Sequence, residues 1–265
     1  MSEFAISKDG ARIGYDQYGE GPAVILVGGA MQFRAFDSNT VEMAKLLAAK
    51  GFTVLNYDRR GRGESAEALS LTLKDNIDDL ATLIEIAGGK AALFGSSSGG
   101  SIALAAAAAG LPVTKLALWE TPLSDELGTG GAEFFAGLQE RIASGDKAGT
   151  IEYYMKDMPP EWLAGAKSSP AWPIMLELGP SLSADAESLA WTQSAPRAEL
   201  WSGITQPTVA IVGEQTVPIM PKAADSIVAN LPNARKITIP AANHSWEPGV
   251  MADALAEFLA EQPKN

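Results

Sequence analysis

Ala91-Ala92-Leu93-Phe94-Gly95-Ser96-Ser97-Ser98-Gly99 is a short apolar run closing in a glycine- and serine-rich turn, and the alanine-rich stretch 98–109 after it has helical composition. Strand, tight turn and helix in that order put Ser97 at the apex of a sharp corner, at the carboxyl end of a buried strand. Such a corner strains the backbone at its apex and admits only small residues two positions before and after, where Gly95 and Gly99 stand. Because the corner opens a helix, its first N–H groups lack carbonyl partners and are free to meet negative charge developing beside Ser97. Ser98 N–H is the first such donor. A serine- and glycine-rich helix cap or a phosphate cradle has similar composition, but the lysine of a P-loop and the G-x-G-x-x-G spacing are both missing.

Working outward, three more apolar runs end in polar or glycine-rich turns: Ala23–Val27 before Gly28-Gly29, Thr53–Tyr57 before Asp58, and Lys115–Trp119 before Glu120. Helical stretches at 37–50 and 71–87 separate them, which is the pattern of an α/β fold with a parallel sheet. Its strand ends are where ligands bind and side chains do chemistry. From 121 to about 200 the alternation stops. Seven prolines, several tryptophans and methionines and no convincing strand predict an inserted helical cap over 121–200, with a core domain of 1–120 and 201–265. Strands resume at 207–212 and 235–239, followed by helices 221–231 and 250–260, and segments 3–8 and 11–18 fit a hairpin about Asp9-Gly10.

The 265 residues suffice for one domain with an insertion, and 46% hydrophobic against 20% charged residues reads as globular. No apolar run reaches the ~20 residues needed to span a bilayer, and the first residues lack a signal sequence, so a cytoplasmic protein is expected. Twenty basic against 32 acidic residues give a net charge of −12, which disfavours nucleic acid and anionic membranes as partners. Zero cysteines and a single histidine cannot build the usual transition-metal sites, so no metal and no cofactor are expected. A small-molecule, hydrophobic substrate is the expected partner, and the chain is expected as a monomer or homodimer.

The single histidine, His244, lies in Asn243-His244-Ser245, between the last strand and the last helix. That order puts it at the same sheet edge as Ser97, and a serine hydroxyl needs a base with pKa near neutrality to become nucleophilic. A purely structural histidine is the alternative.

These features together resemble the α/β-hydrolase-fold serine hydrolases over essentially the whole chain. Asp58-Arg59-Arg60-Gly61-Arg62-Gly63-Glu64-Ser65 is similar to the family's D-x-R-G-x-G-x-S turn, which gives the arginines a structural reading. Val27-Gly28-Gly29-Ala30-Met31 stands where the family has its H-G oxyanion turn, with Gly28 in place of histidine. The resemblance implies a mostly parallel eight-stranded sheet flanked by helices. It also implies Ala30 N–H, with Gly29 behind it, as the second oxyanion donor beside Ser98, and Gly29 and Met31 near the substrate.

The commonest family pattern has an aspartate three residues after the glycine ending the seventh strand; here that residue is Thr216, which carries no charge to stabilise an imidazolium. Glu120, at the carboxyl end of the sixth strand, is the expected replacement, since haloalkane dehalogenases and zearalenone-type lactone hydrolases place their acid there. Glu214 is the fallback. The dehalogenases use an aspartate nucleophile, so Ser97 points to the lactone hydrolases, which Ser97–Gly100 and Trp119–Pro122 also resemble. The resemblance implies hydrolysis of an ester or lactone through Ser97, His244 and Glu120; a lyase, perhydrolase or cofactor-free oxygenase on the same scaffold, or a ligand-binding protein, is the alternative. Trp162, Trp172, Trp191 and Trp201, with Met155, Met158 and Met175, either line a hydrophobic site over Ser97, Trp191 foremost, or form the insertion's own core.

Overall fold

A computed structural model describes residues 2–68 and 70–261. Its eight strands are β1 (Glu3–Ile6), β2 (Arg12–Tyr18), β3 (Ala23–Val27), β4 (Thr53–Tyr57), β5 (Ala91–Ser96), β6 (Val113–Trp119), β7 (Thr208–Gln215) and β8 (Ala234–Ala242). They form one sheet in the order β1-β2-β4-β3-β5-β6-β7-β8. Only the β1–β2 and β2–β4 pairings are antiparallel, so the sheet is mostly parallel, as expected.

The central strands are apolar throughout because helices cover both faces. Successive residues point to opposite sides, so Ile25, Val27, Leu93 and Leu118 join one core cluster while Val24, Leu26, Phe94 and Trp119 join the other. The first side is covered by α2 (Leu73–Ile86) and α3 (Ser98–Ala108), the second by α1 (Ser38–Ala48). Local chemistry sets the helix starts. Asp37 caps α1 by accepting from Thr40 N–H at 3.0 Å, and Thr72 and Asp75 close a capping box on α2.

Between β6 and β7 the described residues hold helices and no strand: α4 (Gly130–Ser144), α5 (Lys147–Tyr154), α6 (Pro160–Ser168), α7 (Trp172–Glu177), α8 (Ser183–Trp191) and α9 (Arg197–Leu200). Leu138, Ile151, Tyr154, Met155, Leu182 and Ala186 give this segment its own apolar cluster. The helix α8 is also tied downward. It packs on α3, with Ser101 and Ser188 hydroxyls 2.7 Å apart, and Asp185 is fully buried. The chain then closes with α10 (Ile219–Asn230) on the first face and α11 (Pro248–Ala260) on the second.

Candidate active site

Ser97 sits between β5 and α3 with φ 54° and ψ −128°, a conformation unfavourable for any residue with a side chain. Its N–H donates to Trp119 O at 2.8 Å, and Gly100 N–H donates to Ser97 O at 2.9 Å. The glycines around it are there for space: a Cβ on Gly95 would lie 2.5 Å from Gly100 Cα, and one on Gly99 2.2 Å from Val27 O. The same crowding explains Gly29, where a Cβ would come within 2.7 Å of Ser96 O and 3.0 Å of Ser97 Cβ.

His244 follows β8. Asn243 N–H donates to Gln215 O at 3.0 Å, and Asn243 and His244 both turn left-handed, with φ 54° and 59°. The imidazole Nδ1 lies 2.5 Å from Glu120 Oε2. A carboxylate only accepts, so Nδ1 carries the proton and Nε2 is left as the acceptor. Glu120 Oε1 accepts Gly213 N–H at 2.9 Å, which fixes the carboxylate plane. Burial pushes the Glu120 carboxyl pKa up, but the bonds from His244 and Gly213 outweigh it and hold the group below the usual carboxylate range. Thr216 adds to the lowering: its buried hydroxyl, which completes no hydrogen bond of its own, favours the ionised form of Glu120. Glu214, the fallback acid, is exposed.

Among the described residues, the non-glycine residues with positive φ are Met31, Ser97, Glu120, Asn243 and His244. Met31, Ser97 and His244 line the site, Glu120 bonds His244, and Asn243 immediately precedes it. Strain of this kind persists only where surrounding structure over-determines it, and it clusters at functional centres.

The Gly28–Met31 turn lies beside the corner. Gly29 N–H is taken by Gln32 Oε1 at 2.5 Å, whereas Ala30 N–H and Ser98 N–H have no acceptor among the described residues. Of the two turn residues, Ala30 is thus the one whose N–H is unpaired among the described residues.

Ser97 and His244 line one cavity of about 870 Å³ with Ala30 and Met31. Met155, Met158, Trp162 and Phe134 of the inserted segment supply apolar wall, and Asp157 is the only Asp, Glu, Lys or Arg among the described lining residues. Of the residues expected near the substrate, Met31 lines the cavity, but Gly29 and Trp191 do not. Gly29 packs under Ser97 for lack of a side chain, and Trp191, near the end of α8, rests on the core cluster. Trp201 is fully buried in that same cluster. The cavity aromatic residue against His244 is Trp162 from α6, whose ring stacks on the His244 ring at 5.8 Å and 24°, with Trp119 on it at 6.4 Å and 28°. Nothing in the local sequence separates Trp162 from the other tryptophans of the segment.

The arginines after β4 are buried. Arg60 pairs with Asp79 at 2.6 Å, while Arg59 and Arg62 both bond Asp185 of α8, at 2.7 and 2.6 Å. No group of three or more His, Cys, Asp or Glu side chains able to hold a metal occurs among the described residues, and no described helix is long and apolar enough to cross a membrane.

The chain is 33% identical to an alpha/beta hydrolase from Sphaerobacter thermophilus, with a TM-score of 0.85 over 97% of this chain and 100% of that one. An esterase from Exiguobacterium antarcticum, at 18% identity, superposes with a TM-score of 0.71 over 98% of this chain and 100% of its own. The enol-lactonase from Burkholderia xenovorans, also at 18%, gives 0.67 over the same shares. At that identity the last two show a common fold. No curated protein sequence matches. The profile of the alpha/beta hydrolase family matches residues 24–261, and the chain belongs to that family.

Proposed function

We propose that this chain hydrolyses a carboxylic ester or lactone, with Ser97 as nucleophile, His244 as base and Glu120 as the acid that orients it. The observation carrying this reading is the buried Glu120 carboxylate on His244 Nδ1, 2.5 Å away and fixed from behind by Gly213 N–H. An ionised carboxylate in that place sets the tautomer and stabilises the imidazolium that forms when Nε2 takes the serine proton. Ser97 Oγ then attacks the carbonyl carbon, and Ala30 and Ser98 N–H groups receive the oxyanion. Collapse expels the alcohol, protonated by His244, and water releases the acyl group by the same steps in reverse order. The esterase and enol-lactonase among the structural neighbours are compatible with this chemistry.

The cavity wall supports a neutral, hydrophobic substrate: it is mostly apolar, and no lysine or arginine among its described lining residues would pair a substrate carboxylate or phosphate. The helices of 121–200 act as the cap that supplies that wall. A fluorophosphonate probe should label Ser97 in the wild type and not in Ser97→Ala, and a panel of aryl esters and lactones should show turnover lost in the same variant. Full labelling of Ser97→Ala would refute the assignment. A probe-reactive serine with no turnover across the panel would point instead to non-hydrolytic chemistry.

A further inference from the structure

The peptide between Gly29 and Ala30 has two ends. Its N–H is the free donor of Ala30, and its carbonyl, Gly29 O, accepts from Arg62 Nη1 at 2.5 Å. In a trans peptide these groups point in opposite directions, so a guanidinium on the carbonyl fixes the direction of the N–H and polarises it. Arg62 is completely buried and uses all five of its donors. Besides Gly29 O they reach Gln32 O at 3.2 Å, Ser181 Oγ at 2.9 Å, Ser181 O at 3.3 Å and Asp185 Oδ2 at 2.6 Å. Arg59 holds the preceding peptide through Gly28 O at 3.2 Å and bonds Asp185 Oδ1 at 2.7 Å. That same Oδ1 accepts the Ser98 hydroxyl at 2.6 Å. Ser98 N–H is the other proposed oxyanion donor, so Asp185 links the two halves of the hole.

We infer that Arg62 and Asp185 are positioning residues for the oxyanion hole: Arg62 aims and polarises Ala30 N–H, and Asp185 locks Ser98 to the same frame. The inference rests on the serine-hydrolase reading above. Two guanidinium groups share one carboxylate, so a net positive charge is buried directly behind the turn. Burial and the neighbouring Arg59 push the Arg62 pKa down to about 10, which leaves it charged at neutral pH. A fixed positive charge behind an oxyanion stabilises the tetrahedral stage more than the ground state, because only the former carries the negative charge.

The test is Arg62→Lys, which keeps a cation but loses the fork, read by competition on the whole chain. The fluorophosphonate labelling rate should fall about 10- to 100-fold, short of losing a donor outright. Affinity for an aryl trifluoromethyl ketone, which forms a tetrahedral adduct with the serine, should fall by the same factor. Affinity for the corresponding methyl ketone should stay within about threefold. A purely structural role would weaken both ketones alike. Arg60→Lys is the control, because Arg60 is equally buried but bonds nothing in the turn or the elbow. It should leave the ratio of the two ketones unchanged. An unchanged ratio in folded Arg62→Lys, or an equal change in Arg60→Lys, overturns the inference. If Arg62→Lys does not fold, Ser98→Ala decides: it retains the N–H, cuts the Asp185 tether, and should lower the ketone ratio several-fold, an unchanged ratio again being the refuting result. Failure of the underlying reading would appear separately, as full labelling of Ser97→Ala, and would remove the inference with it.

Discussion

Replacing Glu120 with Gln preserves shape but should slow the enzyme about 10³- to 10⁴-fold. Gly213 N–H donates to the Oε1 position, so a glutamine would keep its carbonyl oxygen there and turn its NH2 group toward His244 Nδ1. Facing a donor, Nδ1 must become the acceptor and the ring proton moves to Nε2, the atom that has to accept the serine proton. The charge is lost as well. Two unit charges about 4 Å apart interact by about 4 kcal/mol at an effective dielectric constant near 20, which is about three decades of rate for the imidazolium. Tautomer reversal in an analogous triad costs about four decades. The assay is the second-order rate constant for fluorophosphonate labelling, measured beside circular dichroism and thermal melting. The variant should stay folded, since the Gly213 bond survives. A folded Glu120→Gln protein retaining more than about a tenth of the wild-type rate would refute the reasoning, and a large loss in Glu214→Gln alone would transfer the role to that exposed residue.

Gly99→Ala should destabilise the fold by about 3 kcal/mol or more, seen as a drop in melting temperature with loss of labelling, because its Cβ would lie 2.2 Å from Val27 O and 2.7 Å from Gly28 O; unchanged melting would contradict the packing at the elbow. Trp162→Ala should slow labelling about 2- to 10-fold, the equivalent of one aromatic stack, since it removes the ring lying on His244. An unchanged rate would leave that ring as wall alone. Glu120 is held below its usual pKa in the folded chain, so the stability it contributes is complete above the unfolded value, near 4.5, and is lost as pH falls through the lower folded value. The difference in unfolding free energy between wild type and Glu120→Gln should therefore shrink from about pH 6 to about pH 3, and widening over that interval would show the sign to be wrong.

What the sequence disclosed of this site divides by range. Ser97, Gly95 and Gly99 are legible because a strand-to-helix corner is a local object, constrained by atoms within a few residues and by the small space under Val27 O. Glu120 emerges as a candidate from the uncharged Thr216, whose hydroxyl favours the ionised form of the Glu120 carboxylate. The helices over 121–200 resist reading for the opposite reason. Trp162 and Trp191 are chemically the same letter, and whether a ring meets His244 or the core depends on how α6 and α8 are laid over the sheet, which no period in the sequence encodes. Asp185 makes the point most strongly. Beside Ser183, Ala184 and Ala186 it looks like an ordinary solvent-facing helix acid, but it lies at 0% exposure between two arginines more than 120 residues earlier. A lone buried carboxylate would be strongly unfavourable, and so would either guanidinium. Each charge is tolerable only because the others are already in place. Removing Asp185 alone would strand two cations beneath the Gly28–Met31 turn, so the group inferred to position the hole also binds α8 to the sheet edge.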